Sequence, residues 1–158
     1  MIFQHFVGFL LCLPAIFNWV EPRLGAALAC YASILEMTYE WQDYIKRLYI
    51  HFKDENGEIM EPTASLIIFG AHHTLSLSSI PMSLYYYDSY YYWCMVSSMQ
   101  FAAAFAYLGT EYTYMLDVKS KSGLLKMQYI NLICFLTMLW VRGPFYVWIC
   151  FNLLMTMW

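Results

Sequence analysis

Long apolar runs broken by short charged or turn-forming clusters dominate the chain, and each of the main runs is long enough for a helix that crosses a bilayer. The first covers residues 2–20 and ends at Glu21-Pro22-Arg23. A second runs from residue 24 to about 44 and extends as an amphipathic end through Tyr49. Lys53-Asp54-Glu55-Asn56-Gly57-Glu58 follows as a loop, because Asn-Gly favours a turn and so many charges cannot enter lipid. Pro62 suits the first turn of a third helix that continues to about Tyr87. Asp88-Ser89 separates it from a fourth over residues 90–116, and the loop at residues 117–123 precedes a fifth over residues 124–141. After Arg142-Gly143-Pro144, residues 145–158 would make a helix of only about 21 Å, against a hydrocarbon core of about 30 Å. The pattern therefore predicts an all-α fold: one polytopic transmembrane bundle over residues 1–158, with five spans and a C-terminal short or re-entrant helix.

Composition strengthens this reading. Of 158 residues, 61% are hydrophobic and 12% charged, against roughly 25% charged in a soluble domain. No room is left for a sizeable extramembrane catalytic domain, and a net charge of -3 without a basic stripe argues against nucleic acid as a partner. Phe6 to Phe17 is preceded by no Lys or Arg, so the basic n-region of a secretory signal is missing and the first run reads as a retained membrane helix. If the helices alternate, Lys46, Arg47, Lys53, Lys119, Lys121 and Lys126 collect on one side, leaving Arg23 and Arg142 opposite. The positive-inside rule places that side, and the N-terminus, toward the cytoplasm or matrix. Tyr85-Tyr86-Tyr87 and Tyr90-Tyr91-Tyr92-Trp93 read as an interfacial aromatic belt. The cysteines Cys12, Cys30, Cys94, Cys134 and Cys150 sit in apolar runs and read as small buried hydrophobes, with no zinc spacing among them.

Ionisable groups inside lipid cost about 2.5 to 3.5 kcal/mol each, so each needs a partner or a purpose. Glu36, Glu40 and Asp43 share one face at the inner end of the second helix, with Arg47 a turn further on to pair with Asp43. Glu36 is the one expected to lie deep. His72-His73 falls near the middle of the third helix; adjacent rings point about 100° apart and so face different neighbours. Gln100 on the fourth helix, with Glu36 or Glu40 on the second, would be their hydrogen-bond partners across the bundle. No metal site is expected.

Four segments together resemble the TLC-domain family, the superfamily of polytopic membrane proteins that includes ceramide synthases and TRAM-like proteins. They are His72-His73, Tyr39-Glu40-Trp41-Gln42-Asp43, Met99-Gln100-Phe101-Ala102-Ala103-Ala104-Phe105, and the stretch from Asn131 to Val141-Arg142. The resemblance covers residues 24–142 and implies a lipid-handling helical bundle with a cluster of His72, His73, Gln100, Glu36, Glu40, Asp43 and Arg142. Met99 and Gln100 stand where ceramide synthases have acidic residues, and Ala104 where the family has Pro. Gln100 cannot ionise, and a histidine without an orienting acid is a poor base.

The expectation is therefore a non-catalytic TLC-like protein that binds phospholipid or sphingolipid between its helices in membrane lipid homeostasis, without a cofactor. One alternative is a small accessory subunit packed on other transmembrane subunits, as in a mitochondrial inner-membrane complex. Another is a lipid acyltransferase using His72 or His73. The mitochondrial inner membrane and the endoplasmic reticulum both remain open.

Overall fold

A computed structural model describes residues 2–53 and 63–156, and every element among them is helical. In chain order these are α1 (Ile2–Ile16), α2 (Pro22–Phe52), α3 (Thr63–Leu84), α4 (Tyr90–Tyr114), α5 (Lys121–Trp140) and α6 (Tyr146–Met155). A π-helical turn, Val141–Phe145, joins the last two. The expected loop at residues 54–58 and the helix start at Pro62 lie outside the described residues. The all-α class predicted from the hydrophobic pattern is the class found. Lys121–Met155 is the stretch long and apolar enough to cross a membrane, while Ile2–Ile16 and Leu66–Ser78 are shorter apolar helices.

α1 stops earlier than the apolar run does. Asn18 takes a φ of 55°, a left-handed conformation that asparagine tolerates, and the Trp19 N–H closes on the Pro14 carbonyl at 2.9 Å. Pro22 then starts α2, where a missing N–H costs nothing because the first turn has no acceptor for it. α1, α2 and α4 pack on one another, with α3 against α2 and α5 and α6 against α4.

The central packing uses small residues. Ala26, Ala29, Ala32 and Ser33 of α2 and Ala102, Ala103 and Ala104 of α4 are buried, which lets the helix backbones approach closely. Gly25 sits so near α1 that an added Cβ would lie 2.9 Å from the Ala15 Cβ. Tyr92 and Trp93, expected in an interfacial belt, are instead buried in this core, and the Tyr92 hydroxyl lies 2.5 Å from Ser33 Oγ. Tyr85, Tyr87 and Tyr90 are exposed. Cys12 and Cys94 are buried; Cys30, Cys134 and Cys150 are partly so, and all five are free thiols.

The expected C-terminal short helix is found as α6, of 10 residues, but it is not re-entrant. An added Cβ on Gly109 would strike Cys134 of α5, the Tyr146 hydroxyl lies 3.7 Å from Met99 Sδ, and Tyr91 meets Trp148 edge-on at 5.8 Å. Moving back along α4 from Gly109 to Tyr91, its partners thus advance steadily from α5 into α6. α6 continues the line of α5 antiparallel to α4 and does not turn back. The break falls at Gly143, whose backbone is non-helical, just before Pro144, which has no N–H for the ladder. Arg142, expected in a loop opposite the basic side, consequently lies partway along a broken helix.

Polarity is inverted relative to a water-soluble fold. Buried positions include His5, Glu36, Glu40, His73, Ser97, Ser98 and Gln100, whereas Ile67, Ile68, Tyr129, Leu132, Ile133, Phe135, Leu136, Leu139 and Trp140 face outward. Along α5 the only buried residue is Gly123.

Candidate functional site: a polar chamber between the helices

The buried polar groups line a cavity of about 230 Å³ reached by five helical segments. α1 contributes His5; α2 contributes Glu36, Tyr39, Glu40 and Asp43; α3 contributes Phe69, His72 and His73. α4 adds Ala103, Ala106, Tyr107 and Thr110, and the broken helix adds Met138 and Arg142. Helical spacing explains the acidic contribution, because residues at i, i+4 and i+7 lie on one side of α2. Six of the seven residues expected in the polar cluster line the cavity, and the seventh, Gln100, adjoins it through His5.

On the α1 side the polar groups close on one another. His5 is fully buried, with Nδ1 at 3.0 Å from Gln100 Oε1 and 2.9 Å from Glu36 Oε2. The Gln100 amide donates in turn to the Ala32 carbonyl at 3.0 Å. The imidazole is clamped flat against Tyr107 and edge-on to Tyr39, and the two tyrosine hydroxyls are hydrogen-bonded. Gly8 supplies the space: a Cβ there would come within 2.6 Å of the Gln100 side chain. Among the described residues His5 Nε2 has no hydrogen-bond partner.

On the α3 side His73 is held between two carboxylates. Nδ1 contacts Glu40 Oε2 and Nε2 lies 3.0 Å from Asp43 Oδ2. Arg47 Nε donates to the same Asp43 oxygen at 2.6 Å, while its guanidinium sits 3.8 Å from the centre of the Phe69 ring. Ser76 donates to Glu40 Oε1 at 3.3 Å. Carboxylate oxygens face both nitrogens of His73, so neither ring nitrogen is open to a substrate.

His72 differs. Its side chain is 46% exposed and its Nε2 stands 3.9 Å from Glu40 Oε1, too far for a hydrogen bond. Arg142 lines the same space; among the described residues it has neither a carboxylate nor a hydrogen-bond partner, and its Nε is buried. No three of the described His, Cys, Asp and Glu side chains converge as a metal ion requires.

Several expectations change here. Gln100 serves His5, and not His72 or His73. Glu36 likewise pairs with His5. Glu40 is as deeply buried as Glu36, at 3% and 4% exposure, so Glu36 is not the one deep acid. The premise that no acid orients a histidine fails as well, since Glu40 and Asp43 of α2 both lie against His73. Two pairings hold, Asp43 with Arg47 and Glu40 with His73, whereas His72 and His73, expected to face different neighbours, both approach Glu40 and line the same cavity. His5, Tyr39 and Tyr107 were missed; the signal for His5 was a lone imidazole inside the apolar run of α1.

No family model, curated protein or solved structure matches this chain.

Proposed function

We propose that the chain is a polytopic membrane bundle that binds lipid between its helices, non-catalytically, with the headgroup in the polar chamber. The observation that carries this reading is the inverted polarity: carboxylates and imidazoles buried, and large apolar side chains along α3 and α5 facing out. In water that outward surface would be an aggregation liability, whereas in lipid the same surface is solvated and buried polar groups gain from finding one another. The segments that resemble the TLC-domain family also converge on one place, since His72, His73, Asp43 and Arg142 all line the chamber.

A binding role fits the histidine geometry better than acyl transfer does. His73 is bound at both nitrogens, and His72 has no acid within hydrogen-bonding distance to orient it, so neither is arranged as a general base.

Purification in mild detergent, followed by lipid extraction and mass spectrometry, tests the proposal. The expected result is one lipid class retained at about one molecule per chain. Cysteines placed at Lys53, Asp88 and Lys121 in sealed vesicles should label with Lys53 and Lys121 on one side and Asp88 on the other. A chain that retains no lipid and migrates only within a large complex would instead be an accessory subunit, and labelling of Lys53 and Asp88 from one side would overturn the topology.

A further inference from the structure

The carboxylates of the chamber are already engaged. Asp43 accepts from Arg47 and His73, Glu40 contacts His73, and Glu36 lies against His5. Two donors on the cavity are less committed: Arg142, whose buried Nε has no hydrogen-bond partner among the described residues, and the half-exposed His72, whose nearest carboxylate oxygen, Glu40 Oε1, stands 3.9 Å away. A guanidinium withdrawn from water without an anion is costly, and its planar fork matches the two oxygens of a carboxylate or phosphate.

The backbone places Arg142 for this purpose. It lies at the kink between α5 and α6, beside Gly143, whose backbone is non-helical. Irregular backbone within a bilayer is tolerated where it is buried in protein or lines a cavity, and this turn lines the chamber.

Below the break, on the same face of α5, an apolar groove of about 320 Å³ runs between α4 and α5. It is lined by Phe105, Leu108, Gly109, Tyr112, Ile130, Ile133 and Cys134. Cys134, Met138 and Arg142 follow one another at i, i+4 and i+8, so the stripe leads from the groove through Met138 to the guanidinium, over about 12 Å. At about 230 Å³ the chamber holds a headgroup and not a whole lipid; the groove takes a chain attached to it.

We infer that Arg142 and His72 bind the oxyanion headgroup of an acidic lipid, a carboxylate or a phosphate, while its acyl chain lies in the groove between α4 and α5. This rests on the lipid-binding reading above and adds the charge of the lipid and the groups that select it.

The test is binding by the full-length protein in detergent or nanodiscs. The probes are a fluorescent long-chain fatty acid, its methyl ester, and fluorescent phosphatidic acid and phosphatidylcholine. The free acid, or phosphatidic acid, should bind at least about tenfold more tightly than the uncharged ester and the zwitterionic lipid, the better of the two identifying the headgroup. Arg142→Gln should remove that preference while Arg142→Lys retains part of it, and His72→Gln should weaken the acid without affecting the ester. Leu108→Trp, at an exposed position lining the groove, should weaken every chain-bearing probe and leave thermal stability unchanged. Equal binding of acid and ester, or a preference surviving in Arg142→Gln, overturns the inference while leaving lipid binding intact. Competition by inorganic phosphate or acetate as strong as by the lipid acids would overturn the groove. Failure of every probe would remove the lipid-binding reading itself.

Discussion

His5 and His72 sit on the same chamber and have opposite surroundings. His5 is fully buried, held by Gln100 and Glu36 and clamped between Tyr39 and Tyr107. His72 is half exposed and has no hydrogen-bond partner within reach of Glu40. A buried polar group already satisfied by the protein holds helices together and has little left to offer a ligand. One facing an open cavity contributes little to stability and keeps its valence for something that enters. His73, bracketed by Glu40 and Asp43, belongs with His5 on this measure although it is adjacent to His72 in sequence.

The comparison is broken most sharply at His73. His73→Leu removes the imidazole that lies against Asp43 and the buried Glu40, and losing one partner of a buried pair costs about 3 to 5 kcal/mol. Thermal or denaturant unfolding in detergent should show a loss of that size; a loss below about 1 kcal/mol would mean that the two carboxylates do not depend on the imidazole. His5→Leu should come next, at about 1 to 3 kcal/mol, because it strands the Gln100 and Glu36 side chains in the core. His5→Gln should recover a good part of this. The smallest effect belongs to His72→Leu, expected within about 0.5 kcal/mol of the parent since the side chain is half exposed and its contact with Glu40 is long, at 3.9 Å. A His72→Leu variant as unstable as His5→Leu would erase the distinction between closed and open halves.

Much of the architecture was readable in the hydrophobic pattern, because the apolar runs are long enough for helices and the charged or turn-forming clusters between them mark the helix ends. The starts of α2 at Pro22 and of α4 after Asp88-Ser89 follow from residues that punctuate any chain. The broken last helix was not readable. Gly143-Pro144 marks an interruption, yet whether the chain turns back or continues depends on Met99 and Tyr91 of α4 receiving Tyr146 and Trp148. The aromatic run at Tyr90 was divided in the same way: helical rotation exposes Tyr90 and buries Tyr92 and Trp93, and only the neighbouring helices set which side is inside.

The candidate site shows the same division. Sequence alone determined which residues had to meet something, since carboxylates and imidazoles in apolar helices are costly when unpaired; Glu36, Glu40, Asp43, His72 and His73 stand out on that ground, whereas Gln100 entered as their hydrogen-bond partner and Arg142 through the family resemblance. Sequence spacing also determined the Asp43–Arg47 pair, which lies within one helix turn. Tertiary packing decided every pairing between helices. It brought His5, 31 positions away, against Glu36 and took Gln100 from the paired histidines. The packing of α5 against α4 decided that Arg142, on the same side of the helix as Met138, faces the chamber. The physical reason is one of range: the cost of burying a charge is a property of the residue, whereas its relief requires a partner within about 3 Å, and that distance is fixed by how helices cross.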